Sequence, residues 1–223
     1  MFITFLWIVL TIYKKRIKWY YKVTVSKNNT LRNENKMRII GGKARGTKLY
    51  TLEGETTRPT LDRVKESIFN IIQRELEDSI FLDLFAGSGA IGLEFLSRGA
   101  QKAVLCDNSK EAINIIKKNT EKTHMEQQVQ ILNADFEECI EKLKNEKFDI
   151  IYLDPPYATN YIYRAIEKIT KLGIAQEQSL IIIETDDEQR IEKEIEKTET
   201  EIVDKRKYGR ATIIFIKLKN KDA

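Results

Sequence analysis

The sequence predicts an α/β chain built on one doubly wound sheet, and three observations carry that reading. Short apolar runs at 80–85, 103–107, 129–133, 148–153 and 180–184 have the length and composition of buried parallel strands. Longer stretches at 90–97, 110–123, 136–144, 161–171 and 188–197 separate them and space their apolar residues as covering helices do. Acids stand at or just past several strand ends, Asp83, Asp107, Asp135 and Asp154, where open α/β sheets bind ligands.

The remaining elements follow from turn chemistry and spacing. Residues 38–51 alternate around Gly41-Gly42 and Gly46, which predicts a short hairpin forming a small flap. Pro59 and Thr60 offer a helix start, and Leu61, Val64, Ile68 and Ile71-Ile72 share one face of the helix that follows. Two last strands, 201–207 and 212–218, are joined by a turn containing Tyr208-Gly209. The expected organisation is a hairpin and helix over 37–78 and a single α/β domain over 79–223.

Residues 1–36 stand apart. The apolar run 2–13 is shorter than the roughly 20 residues a membrane helix needs. Its basic cluster Lys14-Lys15-Arg16 follows the run, whereas a secretory signal puts its charge first. The expectation is that Met37 is the native start and that 1–36 is a non-native or disordered extension, the alternative being a weak membrane-surface anchor. The segment also distorts the charge balance. It holds eight Lys/Arg against one acid, so the net +4 of the chain becomes −3 from Met37 onward. Any nucleic-acid surface must then be local, and 37–66, with Arg38, Lys43, Arg45, Lys48, Arg58, Arg63 and Lys65, is the candidate, against the simpler reading of a solvated face.

Cysteine and histidine counts exclude whole classes of chemistry. Cys106 and Cys139 are the two cysteines, both in segments that read as buried, a reduced pattern that predicts a cytoplasmic protein. His124 is the only histidine, so neither a zinc site nor a histidine-based triad is expected, and no metal is assigned.

Gly87-x-Gly89-x-x-Gly92 follows the first strand and opens a helix, a literal match to a dinucleotide fingerprint. Asp83 argues against that reading, because a strand-end carboxylate repels a pyrophosphate but suits a cationic amino group such as that of the methionine moiety of S-adenosylmethionine. Asp107, 24 positions on, is placed to accept ribose hydroxyls in either cofactor class. Asp135 could accept from an adenine amine with Phe136 against the ring, although Phe136 alone is an ordinary core residue.

The most specific signal is Asp154-Pro155-Pro156-Tyr157. Two prolines fix two φ angles and remove two backbone donors, leaving a stiff segment that accepts hydrogen bonds. Such a segment suits an exocyclic amine on a nucleic-acid base, a poor nucleophile whose lone pair is delocalised into the ring. Acceptors at Asp154 and the Pro155 carbonyl would let the nitrogen pyramidalise and aim that lone pair at a sulfonium methyl. Tyr157 would stack on an unstacked base, a contact worth about 1–3 kcal/mol. The alternative is a proline-rich turn with an exposed tyrosine.

Taken together, these motifs resemble the RsmD family of 16S rRNA guanine-N2 methyltransferases. The likeness also takes in Met37-Arg38-Ile39-Ile40-Gly41-Gly42-Lys43-Ala44-Arg45-Gly46, Arg58-Pro59-Thr60-Leu61-Asp62-Arg63-Val64-Lys65-Glu66 and Lys207-Tyr208-Gly209, and runs from Met37 nearly to the end. It implies a seven-stranded class I methyltransferase fold, S-adenosylmethionine as methyl donor, and a guanosine of 16S rRNA within a small-subunit assembly intermediate as substrate. Carried over by position, Asp83, Gly87 and Gly89 would line the methionine end of the cofactor, Asp107 the ribose and Asp135 the adenine beside Phe136, with Phe85 also in contact with the cofactor. Asp154, Pro155, Pro156 and Tyr157 would hold the guanine, and the segment from Arg58 to Arg63 would close over the cofactor and meet RNA. A monomer without an obligatory protein partner or membrane is expected. Three other readings stand against it: a DNA adenine or cytosine amino-methyltransferase, an NAD-linked oxidoreductase, and an assembly factor that binds RNA without chemistry.

Overall fold

The computed structural model describes residues 37–52, 59–156 and 159–220, with 59–63 given by backbone alone. The expected extension 1–36, Arg58, Tyr157 and the side chain of Arg63 therefore lie outside the described residues.

From residue 59 the chain runs α1 (Pro59–Ile71), β1 (Ile80–Asp83), α2 (Ala90–Ser97), β2 (Lys102–Asp107), α3 (Lys110–Thr123), β3 (Val129–Asn133), α4 (Phe136–Lys142), β4 (Phe148–Leu153), α5 (Tyr161–Leu172), β5 (Ala175–Thr185), α6 (Glu188–Ile195), β6 (Thr200–Tyr208) and β7 (Ala211–Leu218). Seven strands form one sheet in the order β3-β2-β1-β4-β5-β7-β6. Strands β1 to β5 are parallel, and β7 inserts antiparallel between β5 and β6. This is the expected doubly wound, seven-stranded arrangement. Strand order reverses at β1, between β2 and β4, which places a ligand crevice at the carboxyl ends of β1 and β4.

Successive strand residues face opposite layers, and the two cores divide accordingly. Phe81, Ile150, Tyr152, Ile182 and Phe215 pack with α1, α2 and α3 on one face. Leu82, Ile151, Leu153, Ile183 and Ile214 pack with α4, α5 and α6 on the other. Phe81 stacks on Phe95 with ring centroids 3.8 Å apart, and Phe69 meets the same ring edge-on at 4.8 Å. These contacts lock α1 and α2 together over β1. The Tyr208 hydroxyl, at the β6–β7 turn, hydrogen-bonds Ser67 and ties α1 to the far side of the sheet.

Helix α1 begins at Pro59 as expected, since proline at the first helical position loses no intrahelical bond. Several boundaries differ, most by one residue, and β1 ends at Asp83, two residues early. Helix α4 stops at Lys142, two residues early, and α6 at Ile195. Strand β5 starts at Ala175 rather than 180, because Ala175 pairs with Phe148 and the polar residues 176–178 bulge outward before pairing resumes at Leu180. Ser179 holds that bulge by accepting from the Gln176 amide at 2.7 Å and donating to the Phe148 carbonyl at 2.6 Å.

The hairpin is not a free-standing flap. It pairs through Arg38 and Lys48, with Ile39 and Leu49 buried beneath, and lies along α2. Glu94 is fully buried within α2, and its carboxylate accepts from the Ile40 amide at 2.8 Å, the Gly41 amide at 2.7 Å and the Arg98 guanidinium at 2.8 Å. Ser97 anchors the turn by accepting from the Ala44 amide and donating to the Gly41 carbonyl. Gly42, at φ 72°, lies so near this helix end that a Cβ would sit 1.7 Å from the Ser97 carbonyl oxygen. At the opposite end of the hairpin, Asn119 of α3 accepts from the Tyr50 amide and donates to the carbonyls of Tyr50 and Ser88.

Candidate active site

The carboxyl ends of β1, β2 and β4 open into a cleft of about 640 Å³, within the range of small-molecule sites. A smaller recess of about 130 Å³ shares Phe85, Gly87 and Asp154 with it and runs inward past Asp83 toward α1.

Asp83 ends β1 and is 2% exposed. Burial pushes its carboxyl up from 3.8 to about 7, the Phe85 amide donating to Oδ1 at 3.1 Å opposes the shift, and neighbouring Asp107 adds to it. A buried carboxyl that holds its proton near neutrality is poised to ionise when a cation arrives.

The glycine loop then turns its amides inward. Ala86 donates to the Cys106 carbonyl at 2.8 Å, Gly87 to Asp107 Oδ2 at 2.9 Å and Gly89 to the Ala86 carbonyl at 2.7 Å. These are the donors a pyrophosphate would need, and protein acceptors hold them. Asp107 is fixed further by the Ser109 amide at its Oδ1, 2.8 Å away. Gly89 stands at the N-cap of α2 with φ 77°, a left-handed conformation, and Gly92 lies against Leu105 so closely that a Cβ would meet its Cδ2 at 2.3 Å.

Asp135 and Phe136 line the cleft on the α4 side. Asp135 is exposed and caps α4, its Oδ1 accepting from the amides of Glu137 and Glu138 at 2.9 and 3.0 Å. Phe136 is buried and forms an aromatic wall with Phe85 at 5.4 Å and Tyr161 at 5.0 Å. Arg164 lies over the Phe136 ring, 5.5 Å from its centroid, and is held there by Glu137. Such a wall offers flat apolar faces to a heterocycle while Asp107 and Asp135 mark its polar rim.

Opposite, Asp154 follows β4 directly, half-buried, with Pro155 buried and Pro156 exposed; all three line the cleft. Thr159 donates to the Pro156 carbonyl at 3.0 Å and closes the turn.

The structure thus brings Asp83, Phe85, Gly87, Asp107, Asp135, Phe136, Asp154, Pro155 and Pro156 to one cleft system. Of the expected basic residues, Arg38, Lys43 and Arg45 do not line it. Arg38 and Arg45 are exposed on the hairpin, and Lys43 lies beside Gln101 and Gln128, at the amino ends of the strands, donating to Gln128 Oε1 at 2.7 Å.

Several lining residues were not among the expected site residues, Lys65 being read only as part of the basic stretch 37–66. Lys65 of α1 is 3% exposed and borders the recess, its ammonium donating to the Arg38 carbonyl at 3.4 Å. Glu184, near the end of β5, accepts from the Tyr152 hydroxyl at 2.5 Å, and burial raises the pKa of both groups. Tyr161 and Arg164 complete the aromatic wall. Glu184 carries the one readable signal, an acid closing an apolar strand as Asp83 and Asp107 do.

The family model described as Conserved hypothetical protein 95 matches residues 37–217. YlbH of Bacillus subtilis is 36% identical over 154 residues, spanning 68% of this chain and 84% of its own length. The Ribosomal RNA small subunit methyltransferase D of Haemophilus influenzae is 35% identical over 164 residues, 73% of this chain and 85% of that one. Among solved structures, yhhF of Escherichia coli superposes with a TM-score of 0.71 at 26% identity, covering 83% of this chain and 99% of that one. A class I methyltransferase sheet, an acid-lined cleft and these likenesses agree: the chain belongs to the Conserved hypothetical protein 95 family, the family of the RsmD methyltransferases.

Proposed function

We propose that this protein transfers a methyl group from S-adenosylmethionine to the exocyclic N2 amine of a guanosine in 16S rRNA, acting in the cytoplasm as a monomer on a small-subunit assembly intermediate. The observation that carries the reading is the meeting of two unlike ends in one cleft: a cation-seeking Asp83 beside glycines whose amides are already engaged, and an Asp154-Pro155-Pro156 turn with acceptors and no spare donors.

The residues present fit the cofactor. Asp83 would take the ammonium of its methionine moiety, Asp107 the ribose hydroxyls, and Phe136 the adenine face, with Asp135 at the adenine amine. When bound, S-adenosylmethionine supplies an electrophilic methyl whose leaving group is already a neutral thioether, so no acid is required. Asp154 and the Pro155 carbonyl would accept from the guanine amine and direct its lone pair at the methyl carbon. The nitrogen would take the methyl while the S–C electron pair stays with the thioether, and the surplus N–H proton would then pass to solvent. Asp154 is an orienting acceptor in this scheme, and catalysis rests on alignment and electrostatics. Tyr157 would stack on the extruded base. The exposed Arg38 and Arg45, with Lys43 toward the far end of the hairpin, would follow the phosphate backbone beside the target, together with Arg58 and Arg63.

The test is transfer of labelled methyl to 16S rRNA and to partly assembled small subunits, with Asp154→Ala beside the wild type. The expected result is label on RNA that falls by at least about a hundredfold in the variant while cofactor affinity stays within about threefold. Full activity in Asp154→Ala would favour a different orienting group, and binding to RNA without any transfer would favour a non-enzymatic assembly role.

A further inference from the structure

Strands β4 and β5 are parallel, and Leu153 pairs with Ile183, so the next residue on each, Asp154 and Glu184, stand side by side at the strand ends. Both border the inner recess. Glu184 is not free to swing. The Tyr152 hydroxyl, itself buried, donates to its Oε2 at 2.5 Å and restrains the carboxylate, while among the described residues no donor hydrogen-bonds Oε1. Tyr152 belongs to the β4 segment that carries Asp154, so both carboxylates are positioned from one stiff strand.

Resting on the guanine-N2 reading above, we propose that Glu184 is the specificity-determining residue that reads guanine, its Oε1 accepting the ring N1–H while Asp154 accepts from the adjacent N2 amine. Guanine is the base that presents an N1–H donor and an exocyclic amine side by side on its Watson–Crick edge; adenine and cytosine present an acceptor where guanine has N1–H. Two carboxylates on neighbouring strands, about 4.8 Å apart at the backbone, match a pair of adjacent donors and face an acceptor with repulsion. A site built to hydrogen-bond one donor rejects an analogue that lacks it far more strongly than an apolar pocket would. The Tyr152 bond makes that rejection sharper, because a fixed carboxylate cannot turn away from an unmatched base.

The experiment compares small-subunit particles carrying guanosine at the methylated position with particles carrying 2-aminopurine there, which keeps the C2 amine and has a bare N1 acceptor. Wild-type enzyme and Glu184→Gln are tested on both, with cofactor affinity and thermal unfolding measured for each protein. The wild type is expected to favour guanosine by at least about tenfold in kcat/KM. In Glu184→Gln, whose amide can donate to N1, guanosine transfer falls about tenfold and 2-aminopurine transfer rises, so the ratio collapses or inverts, with cofactor affinity unchanged. A guanosine to 2-aminopurine ratio that is the same in both proteins overturns the assignment while leaving the methyltransferase reading intact. Absence of transfer to guanosine by the wild type overturns both. If Glu184→Gln loses its unfolding transition, the wild type and Tyr152→Phe decide: equal wild-type rates on the two bases, or a guanosine preference undiminished in Tyr152→Phe, overturn the proposal, and a preference reduced in Tyr152→Phe, which frees the carboxylate to turn, upholds it.

Discussion

The backbone amide of Gly87 donates to Oδ2 of Asp107 at 2.9 Å, while Oδ1 of the same carboxylate accepts from Ser109. One strand-end acid therefore shapes the glycine loop as well as the cleft wall. Asp107→Ala is expected to release the loop and weaken S-adenosylmethionine binding by more than about tenfold, and Asp107→Asn, which keeps one acceptor, by less. Titration calorimetry checks this; wild-type affinity in Asp107→Ala would show that the carboxylate contributes neither to the loop nor to the ligand.

Asp83 predicts a pH dependence whose sign follows from its raised pKa. The folded carboxyl, at about 7, holds its proton more tightly than the unfolded one at 3.8, so the group opposes folding increasingly as pH rises from about 4 to about 7. A bound ammonium favours the ionised form, and affinity for S-adenosylmethionine should rise about tenfold between pH 6 and pH 8 with release of a proton. Asp107, Asp154, Glu184 and Lys65 line the same cleft system and set the background. Asp83→Asn is expected to bind poorly at every pH, without the slope, and to be more stable than the wild type at pH 8 without ligand, by about 2–4 kcal/mol. Equal slopes in the two proteins would assign the titration to another group.

Glu94 is a second buried carboxylate, and it holds structure rather than ligand. Glu94→Ala leaves the Ile40 and Gly41 amides and the Arg98 guanidinium without their acceptor, at a cost of about 3 kcal/mol. Glu94→Gln should cost less, since one oxygen remains. Denaturant unfolding measures both. Hydrogen exchange on residues 37–50 should quicken in the alanine variant well before the sheet is affected.

Phe136 separates packing from binding. Phe136→Leu preserves apolar volume but removes the flat ring between Phe85 and Tyr161, so stability should change by less than about 1.5 kcal/mol while cofactor affinity falls several-fold. A loss of both in parallel, seen by calorimetry and thermal unfolding, would make Phe136 a core residue and no more.

Much of this was readable from the chain because buried parallel strands are written as apolar runs and because glycines, prolines and strand-end acids mark where the backbone turns toward a ligand. Asp83, Asp107 and Asp154 were legible for that reason. Glu94 and Asn119 were not: each is a polar residue at a helix position that periodicity assigns to a core or to solvent, and its purpose exists only once the hairpin lies on α2 and α3. The bulge at 176–178 was illegible in the same way, since polar residues leaving a sheet look like a loop. Arg164 and Tyr161 lie on a helix whose spacing shows only that it is amphipathic, and their place in the cleft is set by α5 packing beside α4. Asp135 was legible only as a strand-end acid facing a ligand; that it caps α4 emerges from the structure.

The central claim is that this cleft methylates the N2 amine of guanine in small-subunit RNA, and the most direct measurement is the chemical identity of the methylated nucleoside. Small-subunit particles from cells lacking the protein are incubated with labelled S-adenosylmethionine and the purified enzyme, and the RNA is digested to nucleosides and separated. Label in N2-methylguanosine is the expected result. Label in a different nucleoside, or transfer to DNA with none to RNA, would contradict it.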